Sequence, residues 1–194
     1  MGLPLCLGTY ELAPLWHGFF TSLGVSVEFS PFSNKAIYEL GQFTIPSDTA
    51  CYPAKLMHGH VIKLCEDGVD GIFYPCLPYN LDEKADNHYN CPIVAYYPEL
   101  LKSNVDALEK IPFFYPYLNV NDKGQLKKEL YECFGKVLSV SKKQVNAAVD
   151  DGFNALDDYK NFVKTEGEKA VKYARENNLR ILILAGRPYH IDPE

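Results

Sequence analysis

Six cysteines (Cys6, Cys51, Cys65, Cys76, Cys91 and Cys133) are the most reactive groups in this 194-residue chain. In a reducing compartment disulfides do not persist, so such thiols are packing residues, nucleophiles or ligands for soft metals. Cys51 precedes Pro53 by two positions, and proline suits a first helical turn. A thiol just ahead of a helix meets unpaired N–H groups and the positive end of the helix dipole, which favour the thiolate. Cys76 comes directly after an apolar run that ends at Tyr74. In a parallel sheet the carboxyl ends of strands and the starts of the following helices share one rim. Cys51 and Cys76 could meet there and hold a tetrahedral metal or an iron–sulfur cluster. The competing reading is two buried packing thiols. Cys91 is the weaker candidate, because it immediately precedes residues 93–97, read as a strand. That places it on the opposite rim unless residues 77–90 fold over. Cys65 shares a helical stripe with Met57, Val61 and Leu64, and Cys6 and Cys133 read as packing residues within a strand and a helix.

His58 and His60 invite a zinc site with Cys51 and Cys65. Along one helix, Cys51 would lie about 10 Å from His58 and about 21 Å from Cys65, whereas zinc ligands sit within about 2.3 Å of the ion. The two histidines also leave the helix on opposite flanks. There is no GxGxxG, Walker A loop, GxSxG elbow or HExxH. Asp157 and Asp158 read as a solvated helix face. Arg187 and His190, in a turn after an apolar run, face either a ligand or solvent.

The elements that must position these groups alternate strand and helix over the first 120 residues. Residues 3–7, 25–29, 71–74 and 93–97 read as strands, and residues 111–115 as another extended segment. Helices are predicted over residues 13–23, 34–40 and 53–66, followed by Gly24, Gly41 and Gly68. This alternation predicts an α/β fold with a parallel sheet and flanking helices. From Asp122 the pattern turns helical. Leu126, Leu130, Phe134, Val137 and Leu138 share one face, and Ser141 with Gln144 forms a capping box. The helix it opens runs to about Glu176, with Val145, Val149, Leu156, Tyr159 and Val163 on its buried stripe along the sheet. Gly152 and Gly167 are the places where it could bend. Residues 180–185 read as a strand buried on both faces. The expected organisation is an α/β half-domain over 1–120, a helical connector over 121–178, and over 179–194 the start of a second, truncated α/β half-domain. The alternative is that this last strand joins the first sheet.

Acidic residues outnumber basic ones 25 to 19, a net charge of −6, which argues against nucleic acid or an anionic membrane as partner. Apolar residues at 47% suit a packed core, and no run is long enough to span a bilayer or serve as a signal peptide. A cytoplasmic protein is expected.

Four motifs in order, residues 45–60 (IPSDTACYPAKLMHGH), 73–76 (FYPC), 89–92 (YNCP) and 186–193 (GRPYHIDP), resemble the domain of unassigned role found in CoA-enzyme activase proteins. That family is related to the 2-hydroxyacyl-CoA dehydratases and the double-cubane cluster proteins. The resemblance implies two Rossmann-like halves contributing cysteines to an oxygen-sensitive iron–sulfur cluster, 4Fe-4S or double-cubane, of an anaerobe. It also implies a separate ATP-hydrolysing activator of the actin-like kinase type, which supplies low-potential electrons. Carried across by motif, Cys51, Cys76 and Cys91 are the ligand candidates. Lys55, His58, His60, Arg187 and His190 are candidates for the groups around them. The implied activity is dehydratase-like or a reductase of small molecules, with this stretch alone expected to be inactive. A non-catalytic docking or regulatory domain with structural cysteines is the alternative, and a zinc-binding structural module using the same cysteines a third.

Overall fold

The computed structural model describes residues 1–82 and 86–186. Four short strands, β1 (Gly2–Leu3), β2 (Glu28–Phe29), β3 (Ile72–Phe73) and β4 (Phe113–Phe114), pair in parallel in the order β2-β1-β3-β4. Gly2 and Leu3 align with Glu28 and Phe29, Gly2 with Ile72, and Ile72 and Phe73 with Phe113 and Phe114. The parallel α/β class expected from the alternation is therefore observed. β1 connects leftward to β2 and β3 rightward to β4, so the winding reverses between β1 and β3. Ligands of open α/β sheets lie outside the carboxyl ends of strands at such a reversal.

The connecting helices are α1 (Leu7–Glu11), α2 (Ala13–Ser22), α3 (Lys35–Gly41), α4 (Tyr52–Glu66), α5 (Pro92–Asn104), α6 (Lys123–Phe134) and α7 (Lys142–Glu176). Local chemistry sets many of their ends. Asn34 and Asp122 accept from the backbone N–H of Ile37 and Gln125, and Ser141 with Gln144 makes the expected capping box. Gly24 and Gly68 turn the chain after α2 and α4 at φ 76° and 73°, where an L side chain would be strained.

Alternating strand residues feed two cores. Leu3 and Phe73 pack with Trp16, Phe19 and Phe20 of α2 and with α6 and α7. Ile72 and Tyr74 pack with Cys6, Met57 and Val61 on the side of α4 and α5.

Several expectations are corrected. Residues 3–7 are not one strand: pairing stops at Leu3, and α1 begins at Leu7, so Cys6 is a helix N-cap rather than a strand residue. Residues 93–97 lie in α5, not in a strand. Val94, Tyr97 and Leu101 form a buried stripe at helical spacing, and that packing overrides the strand preference of a β-branched and aromatic run that ends at Pro98. α7 is one continuous helix. It packs chiefly on α2, and Gly152 does not break it: a Cβ there would meet the Leu15 carbonyl oxygen at 2.6 Å. Val137, Tyr159 and Val163, expected in the core, are exposed. Between residues 157 and 186 every side chain but Ala174 is exposed. Residues 180–185 pair with no strand, and Leu182, Ile183 and Leu184 are 84–95% exposed. The alternative in which this run joins the first sheet is not observed.

Candidate thiol site at the carboxyl-terminal rim

Cys6 lies three residues beyond the end of β1 and Cys76 three residues beyond the end of β3. They hold equivalent places on the two strands that flank the reversal. Cys51 and Cys91 are likewise equivalent, as N-caps of α4 and α5. Their backbones are extended at φ −65°, ψ 155° and φ −62°, ψ 154°, and neither thiol caps its own helix. Both helices lead into strands that run parallel to β1, so both N-termini fall on the same rim. The expectation that Cys91 lies on the opposite rim is overturned by the helical state of α5.

Cys6 packs in one buried core with Tyr74 and Tyr97. Cys6, Cys76 and Cys91 are in electrostatic reach of Tyr74, and Cys51 and Cys6 of Tyr97. The Cys6 thiol donates to the Pro53 carbonyl oxygen in the first turn of α4, at 3.3 Å, which ties β1 to Cys51's helix. Cys76 is paired through its backbone beyond the named strands, its N–H donating to the Pro116 oxygen at 2.9 Å and its carbonyl accepting from Leu118 at 3.0 Å. Nearby, the Tyr117 hydroxyl donates to Glu99 Oε1 at 2.9 Å. Cys6 and Cys76 are buried, and burial pushes both thiols up to about 12; Cys51 and Cys91 are exposed. Exposed Tyr52, Tyr79, Tyr89, Tyr96 and Tyr117 add aromatic surface at strand and helix ends.

His58 and His60, both buried, each approach this rim through one hydroxyl. The Thr44 hydroxyl donates to the Gly41 oxygen at 2.8 Å, so it accepts from His58 Nδ1–H at 2.7 Å. His58 Nε2 is then bare and accepts from the Tyr97 hydroxyl at 2.9 Å. His60 bonds Ser30 Oγ through Nδ1 at 2.8 Å and Ser33 Oγ through Nε2 at 2.9 Å. Burial lowers both imidazoles to about 4, so both are neutral at pH 7. Their ring nitrogens are occupied and diverge, in accord with the sequence argument against a zinc site on α4. Lys55 binds the Asp48 carbonyl oxygen at 2.9 Å, bracing residues 48–55 ahead of and into α4.

Cys65 and Cys133 are half-buried within the two cores, consistent with packing. Arg187 and His190 lie outside the described residues. Among the described residues, no three His, Cys, Asp or Glu side chains are grouped closely enough to hold a metal ion. The rim thus collects thiols from four elements without drawing three of them into one cage.

Sequence reasoning missed Cys6, Tyr74 and Tyr97. The signal for Cys6 is its spacing from β1, equal to that of Cys76 from β3, which the apolar continuation of the strand through residues 5–7 masks in the sequence.

A parallel α/β sheet with thiols at its point of reversal is the class that fold and site define. The chain belongs to the CoA enzyme activase uncharacterised domain family, whose profile covers residues 1–194. No curated protein and no solved structure gives a significant match. Among the described residues, no helix is long and apolar enough to cross a membrane.

Proposed function

We propose that this chain is a cluster-binding component of an ATP-dependent, low-potential reductase or 2-hydroxyacyl-CoA dehydratase-like system, using Cys51, Cys76 and Cys91, with Cys6 placed to join them. The supporting observation is that thiols from four sequence-remote positions share one rim, two just beyond the strands at the reversal and two at helix N-caps. The donor set suits iron–sulfur chemistry: soft thiols, helix N-terminal N–H groups facing the same rim, and a buried hydroxyl without a protein partner. When bound, such a group supplies one-electron chemistry at low potential.

The chain's own residues have separate tasks in this reading. Cys6 and Cys76, shielded from water, form the inner side of the site, while Cys51 and Cys91 stand on its solvent side. Tyr97, held by neutral His58, and Ser33, held by neutral His60, fix the positions of the groups that line it. An ATP-hydrolysing activator is the implied electron source, and the exposed tyrosines give it an aromatic surface near the thiols.

Anaerobic purification of the complete polypeptide, reconstitution with ferrous iron and sulfide, and iron and sulfide analysis test this. Visible absorption and bound iron that fall when Cys51→Ala and Cys76→Ala are combined are expected. Iron content unchanged by that pair of substitutions overturns the assignment.

A second reading, a docking or regulatory domain with structural cysteines, draws on the burial of Cys6 and Cys76 and on the lack of a three-ligand group among the described residues. It predicts a colourless protein whose partner binding survives both substitutions.

A further inference from the structure

β4 is an edge of the sheet: among the described residues it pairs with β3 and with no strand on its other side. The carbonyl oxygens of Pro112, Phe114 and Pro116 accept from the N–H groups of Ile72, Tyr74 and Cys76 at 2.9 Å each. Backbone groups of an extended strand alternate sides, so those of Phe113, Tyr115 and Tyr117 face away from β3. Proline is a usual way to blunt a sheet edge. Here both prolines stand in the row facing β3, and the outer row keeps its N–H donors. Beside it a cavity of about 430 Å³ is lined by the unbroken run Phe113–Tyr117 and by Glu129, Glu132 and Cys133 of α6.

The lining is aromatic and acidic. The Phe113 and Tyr115 rings are stacked, with centroids 5.2 Å apart. Glu129 Oε1 accepts from Gln125 Nε2 at 2.6 Å, while Glu129 Oε2 is buried and has no hydrogen-bond partner. Glu132 meets Lys128 at 3.9 Å in a loose, exposed pair. Burial pushes the Cys133 thiol up to about 11, so it adds no charge to this wall. Carboxylates beside aromatic rings are the surroundings that an ammonium or guanidinium group prefers. An exposed sheet edge with side-chain pockets beside it is what an extended peptide uses to add as a strand.

We propose that the β4 edge and the adjoining side of α6 dock an extended segment of a partner protein that carries Lys or Arg. Its backbone pairs with the outer row of Phe113, Tyr115 and Tyr117, and a basic side chain enters the cavity beside Glu129. The net charge of −6 complements such a segment. The aromatic rings cover the stem of the basic side chain, and the two carboxylates of α6 balance its head. This surface needs no cluster at the rim, so it stands or falls apart from the cluster-binding reading.

Fluorescence anisotropy with a fluorescein-labelled peptide of alternating arginine and threonine tests this, since its basic side chains all fall on one face of an extended strand. Saturable binding is expected. Glu129→Gln combined with Glu132→Gln should weaken it about tenfold. Glu166→Gln combined with Glu168→Gln, on the exposed half of α7, should change it by less than about twofold. The same peptide with its backbone N–H groups methylated keeps its charge but cannot donate to a strand edge, and should bind about tenfold more weakly. Absence of saturable binding overturns the proposal. Equal weakening by the two pairs of substitutions overturns it too, because it marks unspecific attraction to an acidic protein. Unchanged binding of the methylated peptide shows capture of a cation without strand pairing, and is equally fatal. Sedimentation velocity without peptide covers the remaining occupant: self-association abolished by Glu129→Gln with Glu132→Gln makes a second copy the partner and overturns the assignment to another protein.

Discussion

Cys51 and Cys91 occupy the same position in two different helices, each the uncapping N-cap of a helix whose first turn contains proline, with backbone angles that agree within a few degrees. Both thiols are exposed, whereas Cys6 and Cys76 are buried. The four rim cysteines therefore form an outer and an inner pair. Brief treatment of the metal-free protein with iodoacetamide should label Cys51 and Cys91 ahead of Cys6 and Cys76, which should need unfolding. Peptide mapping by mass spectrometry checks this, and early labelling of Cys76 would contradict the burial of the inner pair.

The two buried histidines make stability depend on pH. Each is neutral in the fold because burial lowers it to about 4, and each takes up a proton near the ordinary value of 6.5 once unfolded. The unfolded chain then binds more protons than the native one between these values. Their contribution is fully present above about pH 6.5 and is lost progressively as pH falls toward 4, at up to about 1.4 kcal/mol per pH unit for each proton. Denaturant unfolding measured between pH 7.5 and 4.5 should show the fall, and a flat profile would contradict the burial of both rings.

Tyr97→Phe removes the donor to His58 Nε2 and leaves a buried acceptor unpaired. A loss of about 1–3 kcal/mol in unfolding free energy is expected. The same variant should raise the His58 pKa little, since burial rather than Tyr97 sets it. Histidine titration by NMR separates the two effects.

Two glycines of α7 should respond in opposite ways. At Gly152 a Cβ would press on the Leu15 carbonyl oxygen at 2.6 Å, where α7 crosses α2, while at Gly167 nothing lies within 4 Å. Gly152→Ala is expected to destabilise by about 1–3 kcal/mol, and Gly167→Ala to stabilise by about 0.5–1 kcal/mol. Thermal unfolding of the two variants decides it, and equal effects would mean that the helix crossing is looser than described.

Much of the architecture was legible because its causes are local. Asn34, Ser141 with Gln144, and the glycines after α2 and α4 act within a few residues of one another, and the helices they bound fall where the pattern placed them. The parallel α/β class followed from alternation alone. Residues 93–97 were misread because Ile93, Val94, Tyr96 and Tyr97 prefer strands locally, whereas burial of Val94, Tyr97 and Leu101 against the α4 side of the sheet selects a helix. The rim on which Cys91 lies follows from that helix, because Cys91 is its N-cap.

The amino-acid order by itself determined the helices bounded by local caps and glycines (α2, α3, α4, α6 and α7), and that Cys51 precedes a helix and Cys76 follows a strand, because capping, turn geometry and side-chain period are short-range effects. Only the tertiary structure decided that β1 pairs with β3, across some seventy residues of intervening chain, and so that Cys6 and Cys76 follow adjacent strands. It likewise decided that Tyr74 is buried without a protein partner for its hydroxyl. Strand order is a choice among long-range pairings made by burying both faces of the sheet at once, and no window of a few residues contains that information.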